Sequence, residues 1–158
     1  MNLRVQEKSY RKNFHKRDSQ KIQYLDTLFR AFCISTTDIS VSPDLEGEAR
    51  ENQKIISKAI KLGILQSDSE TPFKANSTLT KIEALALLFR LTDIQIQADL
   101  SNYNFLDVED NWKQEVAAKA THLGLVYTSN SKNSFYPNRV MNQGDAYRML
   151  KQMSKYYY

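Results

Sequence analysis

An all-α fold, with repeated helix-loop-helix units packed into one helical bundle, is what this sequence predicts, and two observations carry the prediction. The chain repeats itself: FKANSTLTKIEALALLFR at residues 73–90 is answered by FYPNRVMNQGDAYRML at 135–150, and AIKLGIL at 59–65 by ATHLGLV at 120–126. A weaker copy precedes them, since QKIQYLDTLFRAF at 20–32 aligns without a gap on TKIEALALLFRLT at 80–92. Within each copy, apolar residues recur at the spacing of one helical face. A unit repeating at this period buries its apolar face by stacking on its neighbours.

The order of elements follows from that period. Residues 1–36 are expected to hold a basic N-terminal arm and a partial first copy that has only its second helix, within 20–32. There Leu25, Leu28, Phe29 and Phe32 correspond to inner-face residues of the later copies. Residues 37–98 form a second copy. Its first helix, 52–62, carries Ile55, Ile56, Ala59, Ile60 and Leu62 as an apolar stripe, and Gly63 follows at the position that tolerates positive φ. The loop 66–76 is rich in Ser, Asp, Thr and Pro, which satisfy or mimic backbone hydrogen bonds. The second helix, 80–91, opens on Thr80 with Glu83 three residues on, a capping box, and buries Leu85, Leu88, Phe89 and Leu91.

Residues 99–158 form the third copy. Asp110 or Asn111 caps a helix over 112–123 with Val116, Ala117, Ala120 and Leu123 inward, and Gly124 ends it. Its second helix is less strongly marked: Asn142 replaces the capping threonine, Asp145 the glutamate, and Gly144 weakens the first turn by roughly 1 kcal/mol relative to alanine. Phe73 and Phe135 each precede the second helix of their copy by seven residues, where they are expected to plug the gap between helices.

Composition bounds the function classes. With 158 residues, 41% hydrophobic and 25% charged, the chain has the make-up of one ordinary globular domain. Its longest apolar run, at 84–89, is far short of the roughly 18 to 20 residues that cross a bilayer. The single cysteine, Cys33, rules out an internal disulfide, and its apolar surroundings predict a buried, inert thiol. Charge is uneven: residues 1–30 carry a balance of +5 in a chain of net charge +4, so a basic arm with Tyr10, Phe14 and His15 precedes a near-neutral remainder. That arm reads as a solvated tail or as a contact for phosphates or an anionic polymer. The N-terminus lacks the apolar stretch of a secretory signal. Two expectations follow: a cytoplasmic protein, or a piece whose signal lies upstream, which the missing opening half of the first copy favours.

The recurring residues resemble the S-layer homology domain, the repeat by which many bacterial exported proteins hold the cell envelope. Phe105-Leu106-Asp107-Val108, Trp112, Leu123-Gly124 and Phe135-Tyr136-Pro137 match its spacing, and the second copy supplies Leu62-Gly63, Phe73 and Leu79-Thr80-Lys81-Ile82-Glu83-Ala84. The likeness covers about residues 40 to 152, with a half-copy from about 14 to 32. It implies a location on the bacterial cell surface or envelope, and a groove between repeats where a signature arginine holds an anionic cell-wall polysaccharide, in several cases one carrying pyruvate ketals. That position is Lys21 in the first copy, Lys81 in the second and Gln143 in the third. Lysine keeps the charge but loses the bidentate fork, and glutamine loses the charge. Glu51 takes the tryptophan position of the second copy, leaving Trp112 alone. The ligand-binding candidates are therefore Lys21, Lys81, Trp112, Asp107 and Gln143.

Nothing else in the sequence points to chemistry. His15 and His122 have no paired metal-ligand spacing, and Asp107, Glu109 and Asp110 suit a helix start better than a calcium loop, whose alternating oxygen ligands are missing. No glycine-rich phosphate loop and no supported nucleophile or acid-base pair occurs, so neither a cofactor nor an enzyme is expected. Trp112 is expected to stack on a sugar ring or to roof the core between repeats, and Tyr103, Tyr127 and Tyr136 flank the same unit with rings suited to carbohydrate or protein surfaces. The leading expectation is a noncatalytic module tethered to an anionic cell-wall polysaccharide or peptidoglycan-linked polymer through several weak grooves. The alternative is a protein-interaction or self-assembly module, with other envelope proteins or a second copy as partner. Nucleic-acid binding by the basic arm is a distant third.

Overall fold

The computed structural model describes residues 17–41, 45–66, 73–127 and 133–156. The basic arm, with Tyr10, Phe14 and His15, lies outside them. Among the described residues five α-helices follow in order: α1 Lys21–Ala31, α2 Arg50–Lys61, α3 Lys81–Thr92, α4 Asn111–His122 and α5 Gln143–Met153, which runs into a 3-10 turn at Ser154–Tyr156. Among the described residues strand pairing is limited to isolated bridges. The described residues are all-α, as the helical spacing predicts, and no described helix is long and apolar enough to cross a membrane.

The helix starts explain how the copies come together. A helix leaves its first N–H groups without partners in its own turn, and here the neighbouring copy accepts them. The N–H of Lys21 donates to Ser77 O at 3.0 Å, that of Lys81 to Arg139 O at 2.9 Å and that of Gln143 to Arg17 O at 2.9 Å. One turn back the pattern closes on itself: Ser19 N–H donates to Met141 O, Met141 N–H to Leu79 O and Leu79 N–H to Ser19 O, at 2.8, 2.8 and 3.0 Å. Three pre-helix segments thus form a ring of backbone hydrogen bonds, and α1, α3 and α5 start from its three corners. Ser19, Leu79 and Met141 are all buried there.

At α3 and α5 the third helix residue's N–H goes to a side-chain cap. Glu83 N–H donates to Thr80 Oγ1 while Glu83 Oε2 accepts from Thr80 N–H at 2.8 Å, the expected capping box. Asn142 Oδ1 accepts from Asp145 N–H at 2.8 Å, so α5 is well started despite Gly144 and extends to Met153. At α4 the expectation fails in part: Asp110 is the N-cap by backbone, but its carboxylate makes no cap bond and pairs with Lys113 at 2.5 Å.

Helix α2 packs on α1 and α4 on α3, so the first helix of each full copy lies against the second helix of the copy before it. One cluster unites Leu25, Leu28 and Phe29 of α1 with Leu85 and Leu88 of α3, Ala117 and Ala120 of α4, and Met149 and Met153 of α5. Tyr24 is buried in it, where its hydroxyl donates to Ala84 O at 2.8 Å and burial pushes its pKa well above the usual value. Phe135 is fully buried against Phe105, 5.1 Å between ring centres, whereas Phe73 is only partly buried.

Gly63 and Gly124 end α2 and α4 with φ of 73° and 67°, as expected. Leu62, expected on the apolar stripe, is instead 44% exposed, because as the C-cap it has already turned off the buried face. Cys33 also departs from expectation. It is exposed, and its φ of 55° puts it in the left-handed place after α1, with Cys33 N–H donating to Arg30 O and Ile34 N–H to Phe29 O. The turn that packs a partly buried Ile34 against the core leaves the thiol exposed.

Candidate functional site

The five candidate residues fall into three groups. Lys21 sits at the first position of α1 and forms an ion pair with Glu83 of α3, Nζ to Oε1 3.1 Å. Gln143 takes the same place on α5 and donates from Nε2 to Gln23 Oε1 at 3.3 Å. In both, the first residue of one helix reaches the third residue of the next helix around the ring. Burial pushes the Glu83 pKa up, but the N–H of Thr80 and the ammonium of Lys21 outweigh it and hold the carboxyl below its ordinary value.

Lys81 and Asp107 meet at a different point, the peptide bond between Phe135 and Tyr136. Lys81 Nζ donates to Phe135 O at 2.5 Å and lies 3.9 Å from the centre of the Phe135 ring. From the other side, Asp107 accepts from both backbone groups, Oδ1 from Phe135 N–H at 2.8 Å and Oδ2 from Tyr136 N–H at 2.7 Å. A cation and an anion therefore hold the same peptide by its two ends, with charge-assisted bonds. The loop they hold feeds α3, because Pro137 O and Arg139 O accept from the N–H groups of Ile82 and Lys81.

Charges of both signs act on Lys81 at this seam. Burial and the nearby Arg139 guanidinium lower the Lys81 pKa from 10.5 to about 8, against a smaller upward pull from Asp107 and Asp145. Both carboxylates are engaged: Asp107 holds the loop, and Asp145 pairs with Arg148. Among the described residues neither Lys81 nor Arg139 has a carboxylate within 4.0 Å. Of three ammonium donors on Lys81, the Phe135 carbonyl takes one.

Among the described residues the Trp112 ring has a cation contact with Lys113, its own neighbour, and none with Lys81. It is 48% exposed at the start of α4, with the Lys113 ammonium 5.4 Å from its ring centre, so it does not roof the core. Tyr127 is fully exposed, and Tyr103 meets His122 edge-on at 6.3 Å. Two residues absent from the candidate set stand at the seam: Arg139, a basic residue three before the helix cap, and Tyr136, the variable residue of the Phe-x-Pro motif. Their proximity to Lys81 comes from a backbone bond across copies, for which the local sequence holds no pattern. Among the described residues no three His, Cys, Asp or Glu side chains are placed to hold a metal ion.

No protein-family model matches this chain, and no curated protein matches it.

Proposed function

We propose that the protein is a noncatalytic binding module that takes an anionic cell-envelope glycan at the seam between α3 and the 133–139 loop. The observation that carries this reading is the pairing of Lys81 with Arg139, two cations without a carboxylate partner in ion-pair range among the described residues. An acidic sugar group there would pair with both and use the ammonium donors of Lys81 not directed at Phe135. The corresponding position in the first copy is less suited, because Glu83 already neutralises Lys21, and Gln143 has no charge. Binding is thus centred on one seam, a narrower arrangement than equal sites in every copy. Retention on purified cell-wall sacculi, with and without their secondary polymers, tests the reading; retention only with the polymers supports it.

The second reading, a protein-interaction or self-assembly module, draws on the other two signature positions. Lys21 and Gln143 join neighbouring helices of the same chain, and Leu106 is 78% exposed beside the loop. Self-association that persists in high salt, together with no retention on sacculi, would select it.

A further inference from the structure

Tyr136 combines a demanding backbone with exposure to solvent. Its φ is 57°, the left-handed region that bulky residues rarely enter and that glycine enters freely. Four contacts enforce it: Asp107 accepts from its N–H and from that of Phe135, Lys81 holds the Phe135 carbonyl, and Tyr136 O accepts from Arg139 N–H at 3.2 Å. The Phe135 ring anchors the same turn in the core. By contrast Tyr136 as a residue is 54% exposed. The second copy builds its matching loop around Phe73-Lys74-Ala75 with no left-handed residue there. The strain is therefore not required by the helix start that both loops serve, and it occurs at the seam where the two cations lack a carboxylate.

We infer that Tyr136 is the sugar-stacking platform of this seam, with Lys81 and Asp107 acting as positioning residues that hold the backbone of the turn that carries it. This rests on the glycan reading above and adds to it the contact for the apolar face of a pyranose ring. Tyrosine suits that task because its ring offers a flat apolar surface and its hydroxyl a hydrogen bond at the rim. A local conformation held against its intrinsic preference is where a binding role is to be sought.

The test compares wild type, Tyr136→Phe, Tyr136→Ala and Tyr136→Gly in the full chain, by cosedimentation with sacculi whose secondary polymers are intact and with sacculi stripped of them. Loss of one aromatic stacking contact corresponds to about five- to tenfold weaker polymer-dependent retention for the alanine and glycine variants. The phenylalanine variant should stay within about threefold of wild type, since the ring is kept. Tyr136→Gly should also melt at or above the wild-type temperature, which separates lost binding from lost folding. Wild type and Tyr136→Gly bound equally, in a polymer-dependent way, overturns the role of Tyr136 and leaves the glycan reading standing. Wild type retained equally on stripped and intact sacculi, or on neither, overturns both.

Discussion

Replacing Cys33 by glycine should stabilise the protein, and the expected size follows from the end of α1. Cys33 lies at φ 55° with its thiol exposed, while its N–H and that of Ile34 close the turn on Arg30 O and Phe29 O at 3.3 and 2.8 Å. A side chain in the left-handed region costs roughly 1–2 kcal/mol, from which the extra backbone entropy that glycine loses, roughly 0.5–1 kcal/mol, must be subtracted. The net gain is about 0.5–1 kcal/mol, or a rise in Tm of about 1–4 °C for a chain of this size. Thermal unfolding by circular dichroism, with urea unfolding to check an unchanged slope, measures it. Gly63→Ala is the converse control: a Cβ there meets nothing within 4 Å, so its cost reports the left-handed backbone alone. A lower Tm for Cys33→Gly, or a neutral Gly63→Ala, would refute the reasoning that these turns carry conformational strain.

Asp107→Ala removes the acceptor for two backbone N–H groups and should cost about 1–3 kcal/mol in urea unfolding, with faster hydrogen exchange at Phe135 and Tyr136. Leu28→Ala, at a fully buried site where α1 joins the core shared by the later copies, should cost about 2–5 kcal/mol, and a cost below 1 would mean that the first copy is not part of that core. Deleting residues 1–33 should lower solubility or Tm for the same reason. Because the Lys81 pKa falls from 10.5 unfolded to about 8 folded, the unfolded state binds more protons between those values. Stability referred to this group therefore rises with pH from about 8 to about 10.5, and the wild-type minus Lys81→Met difference in unfolding free energy should show that slope.

Much of the fold was legible because its signals are local. The capping box at Thr80, the Leu-Gly stops and the apolar faces each act within one helix, and they located four helices to within two residues at most ends. The fifth helix forms despite Gly144, since the Asn142 cap and the burial of Met149 and Met153 outweigh the weak first turn. Cys33 was misplaced because its apolar neighbours hid a reversal that only the backbone reveals. The ring through Ser19, Leu79 and Met141 was not legible, as main-chain bonds between distant segments impose no residue type. Among the candidate residues, the repeat alignment found Lys81 and its equivalents, but whether each ammonium meets an acid depended on the next copy: Glu83 stands opposite Lys21, whereas a carbonyl stands opposite Lys81. Asp107 was read as suiting a helix start, yet it holds the loop that carries Tyr136.

The central claim, that a protonated Lys81 holds an anionic glycan, is tested most directly by the pH profile of polymer-dependent retention on sacculi for wild type and Lys81→Arg. Arginine stays charged throughout the range. Wild-type retention should fall as pH rises through about 8, by more than threefold by pH 9.5, although a bound anion shifts the midpoint upward. Lys81→Arg should hold its retention across the same range. Parallel profiles for the two proteins, whether both fall or both stay level, would contradict the account.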